Sequence, residues 1–157
     1  MAAGKREELV SLGAPPFEMA HRSFLRGAGP ERVSLRFFRR RGEECVVVKV
    51  HFGPEAVGPP GCVHGGCIAA VLDEAMGAAT WLAGYSVLAA RLTVRFRRPV
   101  WPESRAVAEA WVERAGRRTV HARARLTAPD GGSLYAEARG TFLAVEPEKL
   151  QGKPEGP

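Results

Sequence analysis

Gly58-Pro-Pro-Gly-Cys-Val-His-Gly-Gly-Cys-Ile-Ala-Ala-Val-Leu-Asp-Glu-Ala-Met-Gly77 decides how the rest of the chain is arranged. A stiff Pro/Gly loop leads into His64-Gly65-Gly66, and a run of small and apolar residues follows. The run has no Pro and no cluster of β-branched residues, so it reads as a helix, fading near Gly84. Its only charges are Asp73 and Glu74, and a helix that is apolar nearly all round is a buried one. Gly65 and Gly66 leave the first backbone N–H groups open to a ligand, and a helix N-terminus favours negative charge. The stretch reads as a core helix with an anion-friendly mouth and a carboxylate two turns inside.

Outward from this helix the period changes to two. Before it, Val33, Leu35 and Phe37 alternate with Ser34 and Arg36, and the Val-rich run 45–52 follows a turn at Arg41-Gly42-Glu43. After it, Leu92, Val94 and Phe96 alternate with Thr93, Arg95 and Arg97, and three further strands follow, separated by turns at Gly116 and at Pro129-Asp130-Gly131-Gly132. The order is two strands, one helix, four strands. The apolar faces of these strands are unusually small: Ala106, Ala108, Ala110, Ala122, Ala124, Ala136 and Ala138. Small inward residues let a sheet close tightly on a helix. The expected class is α+β, an antiparallel sheet wrapped around one long central helix. Residues 1–30 read as an N-terminal segment with short helical pieces at 5–12 and 17–25, residues 31–145 as the domain, and the Pro/Gly/Lys/Glu-rich residues 146–157 as a disordered tail. Open sheet edges and the apolar Trp111, Tyr135, Leu143 and Val145 point to oligomerisation.

Composition excludes several classes. No window holds the roughly 18 uninterrupted apolar residues of a membrane span, and residues 1–6 lack the apolar core of a signal peptide. A cytoplasmic protein with no membrane partner is expected. Cys45, Cys62 and Cys67 have no disulfide-framework spacing. Cys62, His64 and Cys67 have the look of part of a zinc site, but a closed site needs a fourth ligand and His51 is the only nearby candidate. Core packing of small Cys side chains is the simpler reading, so no metal is expected. The net charge of +6 comes almost wholly from arginine. These arginines are spread along strands rather than clustered with aromatics, which argues against nucleic acid and leaves a phosphorylated small molecule as the anion.

The motifs resemble those of hotdog-fold acyl-CoA thioesterases of the PaaI-like and 4-hydroxybenzoyl-CoA thioesterase type. His64-Gly65-Gly66 with Asp73 nine residues after the His carries the resemblance, together with Leu92-Thr-Val-Arg-Phe-Arg-Arg-Pro99, Gly116-Arg117-Arg118, and Asp130-Gly131 with the strand to Phe142. It covers roughly residues 31–145. It implies hydrolysis of an acyl-CoA to free acid and CoA with no cofactor, in a homodimer or a homotetramer. Active sites would lie at the subunit interface, with the helix N-terminus from one chain and the acid from the other. The resemblance makes Asp73 the general base for water or the nucleophile of a short-lived anhydride. The N–H of Gly65 or Gly66 becomes the oxyanion donor, His64 an active-site wall or a loop anchor, and Arg97, Arg98, Arg117 and Arg118 the contacts of the CoA nucleotide. Glu74, about 100° round the helix from Asp73, has no such role.

Two departures stand out. The family often carries Ser or Thr where this chain has Ala89, and some relatives carry Asn near Gly58. Thr93 or Ser86 is a candidate replacement hydroxyl. The missing hydroxyl keeps a slow or non-catalytic acyl-CoA-binding protein in view. A hotdog hydratase or dehydratase is a further alternative, but its Pro-spaced loop after the His is missing.

Overall fold

The computed structural model describes residues 8–12, 24–146 and 148. Seven strands and one long helix follow in the order β1 (Leu9–Ser11), β2 (Val33–Arg40), β3 (Cys45–Phe52), α1 (Gly65–Leu82), β4 (Val87–Phe96), β5 (Ser104–Ala115), β6 (Thr119–Thr127) and β7 (Leu134–Ala144). They form one antiparallel sheet in the order β1-β2-β3-β5-β6-β7-β4. The α1 connection therefore carries the chain from β3, inside the sheet, to β4 at its far edge.

Strand alternation sorts the side chains by face. Val46, Val48, Val50 and Phe52 of β3 lie in the core with Ala106, Ala108 and Ala110 of β5, and with Ala122, Ala124 and Leu126 of β6. All seven alanines singled out in the sequence are buried. The small face is what lets α1 settle into the curve of the sheet, where Ile68, Val71, Leu72, Ala75, Met76, Ala79 and Thr80 are buried. A fully buried Leu72 or Met76 contributes roughly 1.5–3 kcal/mol. Gly140 is needed for the close approach: a Cβ there would lie 2.4 Å from Cε2 of Phe142 and 3.3 Å from Cε of Met76.

The helix expected to be buried all round is buried on one face only. Cys67, Ala69, Ala70, Asp73, Glu74, Gly77 and Ala78 are half-buried along the other. Ala and Gly are at home in either setting, so composition alone overstated the burial. Helix α1 ends as expected: Ala83 caps it and Gly84, at φ 91°, donates to the Trp81 carbonyl.

The N-terminal segment departs from expectation. Leu9–Ser11 is a strand rather than part of a helix over 5–12, paired with β2 through Leu9↔Arg40 and Ser11↔Phe38. The second helical piece, 17–25, falls outside the described residues except for Phe24 and Leu25, which form a turn. Of the tail expected to be disordered, 147 and 149–157 lie outside them too.

On the outer face of the sheet, Glu109 is nearly buried and accepts from two guanidiniums, Arg40 of β2 and Arg125 of β6 (2.5 Å). Burial alone would push its carboxyl up; the hydrogen bonds from Arg40 and Arg125 outweigh that and hold it below the usual glutamate value. A depressed carboxylate stabilises the fold above its unfolded value, and that contribution is lost as pH falls through the folded one. Glu109→Gln removes the carboxylate shared by Arg40 and Arg125, leaves Arg40 its Glu43 partner, and is expected to cost about 1–3 kcal/mol. Melting curves from pH 7 down to 3 should show wild type losing stability below its glutamate range and the variant, lower at pH 7, losing less. Parallel curves would show that Glu109 does not stabilise through its charge.

Candidate active site

The loop before α1 is pinned at both ends. Val57 and Val63 bridge, Gly58 donates to the Cys62 carbonyl at 2.8 Å, and Gly61 to Gly58 at 2.7 Å. The Pro59–Pro60 peptide is cis. Val63 then donates to Val100 and His64 to Ala56, both at 2.8 Å. These bonds fix the direction in which the chain enters the helix.

His64 is the N-cap of α1, at φ −60° and ψ 131°, and its Nδ1 accepts from the Gly66 N–H at 2.9 Å. Accepting there places the ring proton on Nε2. Two glycines hold the ring: a Cβ on Gly66 would lie 2.9 Å from Nδ1, and one on Gly58 would lie 2.9 Å from Cδ2. No side chain fits at Gly58, so the Asn of some relatives would displace this imidazole. His64 is the anchor of the helix mouth.

The cap also decides which donors stay free. Gly66 N–H is taken by the imidazole, while Cys67 N–H (2.9 Å) and Ile68 N–H (3.2 Å) go to the His64 carbonyl. Among the described residues, the Gly65 N–H alone in this first turn has no partner. Of the two N–H groups expected as oxyanion donors, that of Gly66 is occupied and that of Gly65 is open. Beside it lies the ring of Phe96, 3.4 Å from where a Gly65 Cβ would stand, and Phe96 is half exposed at the end of β4. The sequence pattern put Phe96 in the apolar alternation of its strand but gave no sign that it stands at the mouth.

Asp73 lies eight residues into the helix from Gly65, about 12 Å along the axis at 1.5 Å per residue. Its Oδ1 is buried without a hydrogen-bond partner, and burial pushes the carboxyl above the usual aspartate value. One turn on, the side of Gly77 faces open space, with nothing within 4 Å of a Cβ. A buried carboxylate without a partner is costly. Burial also pushes the Cys67 thiol up, so it is no ready nucleophile. Among the described residues, no group of three or more His, Cys, Asp or Glu gathers as a metal site.

The arginines expected to share the CoA nucleotide lie at two ends of the sheet. Arg97 and Arg98 follow β4 and donate their N–H groups to Tyr135 at the start of β7. Arg117 and Arg118 form the β5–β6 turn, and the Arg118 carbonyl accepts from Ala144 at the other end of β7. The span of β7 from Tyr135 to Ala144 puts roughly 30 Å between the two pairs. Arg97 is also held by Glu137.

The thioesterase superfamily model matches residues 60–135, which contain the helix mouth, Asp73 and strands β4 to β6. The chain is similar to that superfamily over these residues, just under half of its length. Among its similar proteins, the acyl-coenzyme A thioesterase THEM4 of Bos taurus is 34% identical, across 82% of this chain and 52% of that protein. The THEM4 of Xenopus laevis is 32% identical, across 86% and 62%. The chain thus spans less than two thirds of these superfamily members. The PaaI protein of E. coli superposes with a TM-score of 0.64 at 20% identity, covering 73% of this chain and 80% of that one. A Streptococcus mutans protein bound to acetyl CoA superposes with 0.66 at 15% identity, covering 71% and 89%. The fold is the hotdog fold. No described helix is long and apolar enough to cross a membrane.

Proposed function

We propose that the chain hydrolyses an acyl-CoA thioester to the free acid and CoA, in a site shared by two copies. The supporting observation is the pair of unpartnered groups, the Gly65 N–H and the Asp73 carboxylate, about 12 Å apart on one helix. A thioester carbonyl is too short to meet both. The long β4 edge, exposed along nearly its whole length, offers a place for a second copy to pair. Antiparallel pairing there would turn the helix mouth of one copy toward the middle of the other helix, bringing Gly65 toward Asp73 of the partner subunit. It would also bring Arg97 and Arg98 to the rim that holds the partner subunit's Arg117 and Arg118, where CoA phosphates would be met.

In this reading the thioester oxygen lies against Gly65 N–H. Asp73 takes a proton from water as the water oxygen bonds to the carbonyl carbon; alternatively, its own oxygen attacks first and water then opens the anhydride. Collapse of the tetrahedral carbon breaks the C–S bond, before water enters in the anhydride route, and the sulfur takes its proton from Asp73 in the first route and from the water in the second. A binding-only protein is the second reading, carried by Ala89, which stands without a hydroxyl at the β4 bulge opposite Phe142. Free-thiol release from short, long and aryl acyl-CoAs tests both. Release well above the buffer rate with at least one ester is expected. Saturable binding without release would establish the second reading, and neither signal would overturn both.

A further inference from the structure

The sheet face turned away from α1 carries a groove of about 590 Å³, walled by Thr93, Arg95, Trp111, Arg123, Arg125 and Arg139. It lies across four neighbouring strands. Register places Thr93 opposite Arg139, Arg139 opposite Arg123, and Arg123 opposite Trp111, in one row from β4 to β5. Two like charges directly opposite each other on adjacent strands are destabilising. Arg123 is relieved by Glu113 and Arg125 by Glu109, and Glu137, the acid of the groove wall, is engaged by Arg97. Among the described residues, Arg95 and Arg139 form no ion pair, although Glu137 lies near enough to attract both and Glu113 to attract Arg139. Arg123 Nε is buried and without a hydrogen-bond partner.

We propose that this groove binds a nucleoside diphosphate, its phosphates between Arg139, Arg123 and Arg95 and its base on Trp111. Guanidiniums match phosphate oxygens in pairs, and an anion between Arg139 and Arg123 turns their repulsion into attraction. An indole beside the cations gives the base a face to stack on. The volume suits a small ligand. A second copy docked about a two-fold axis through the groove would set these arginines against their own kind, so charge favours the anion. The site is separate from the Gly65–Asp73 pair, which lies on the helix side of the sheet. The nucleotide could be free or the 3′-phospho-ADP end of a CoA ester.

Calorimetric titration of the whole chain with ADP, CoA and adenosine, at low and moderate salt, tests this. Saturable ADP binding that weakens with salt is expected, with none from adenosine. Arg95→Gln with Arg139→Gln should weaken ADP at least tenfold and leave the melting temperature within a few degrees of wild type, since the lost attraction of Glu137 and the relieved repulsion of Arg123 offset each other. CoA competing with ADP identifies a CoA ester as a source; ADP alone binding identifies a free nucleotide. No saturable binding of either, or binding indifferent to the double substitution, would overturn the proposal. So would an acyl-CoA KM that rises in step with the loss of ADP, because the groove would then be part of the substrate site. The binding signals do not depend on thioester turnover, so a failed hydrolysis assay leaves this test intact.

Discussion

Asp73→Asn is expected to slow thiol release at least a hundredfold while raising the melting temperature above that of wild type. The first half follows from chemistry: a general base contributes roughly 10²–10⁴-fold, and an amide can neither take the proton nor form the anhydride. The second half follows from burial. Asp73 Oδ1 is buried with no partner, and desolvation holds its carboxyl above the ordinary aspartate value of 3.8. An acid whose folded pKa is raised binds its proton more tightly in the folded state. Stability therefore falls as pH rises from the unfolded value through the folded one, and stays lower above it. Asn has nearly the same shape and no charge to desolvate. The melting difference between variant and wild type should be small below pH 4 and open as pH rises. Turnover of the wild type should show its acid limb above the ordinary aspartate range. Full turnover in both Asp73→Asn and Asp73→Ala would remove Asp73 from the mechanism, and a variant less stable at pH 7 would mean that its carboxylate has a favourable partner.

The parts of the fold that were legible in the sequence are those set by local periodicity. The alternation of Ala106, Ala108 and Ala110 with larger outward residues named both the strand and its inward face, and β5 carries it out. Three other features depend on distant partners. Residues 9–11 became a strand only because β2 offers an unpaired edge, with Leu12 N–H reaching the Phe37 carbonyl at 2.9 Å. Glu109 looked like any outward strand residue, yet Arg40, 69 positions away, and Arg125 converge on it. The resemblance gave Arg97-Arg98 and Arg117-Arg118 one task, contacting the CoA nucleotide, whereas within one chain they lie at opposite ends of β7, which the sequence does not say.

At the candidate site, the sequence located the helix mouth but not its wiring. His is an unremarkable N-cap by type, and its cap here depends on a ring held between Gly58 and Gly66. Once the imidazole takes the Gly66 N–H, the two glycines of the motif have different tasks. Gly66 makes room for the cap, and Gly65 keeps the free donor. That division can be tested by removing one hydrogen atom's worth of function and little else.

Gly65→Pro is expected to lower kcat by about 10²–10³, the cost of losing one oxyanion donor, with a melting temperature near that of wild type. Gly65 is the first residue of α1, where proline is well tolerated because the N–H it lacks has no helical partner. The residue before a proline must be extended, and His64 already is, at ψ 131°. The cap between His64 Nδ1 and Gly66 N–H does not involve the deleted group. The new side chain meets Phe96, whose nearest ring carbon is 3.4 Å from the Cβ position, a contact that a half-exposed ring at a strand end can relieve. Gly65→Ala is the control, since it brings the same Cβ to Phe96 and keeps the N–H. It should retain most of the turnover that Gly65→Pro loses. Equal losses in the two variants would assign the effect to crowding at Phe96. Full turnover in Gly65→Pro, with helix content unchanged by circular dichroism, would move the oxyanion site away from the start of α1 altogether.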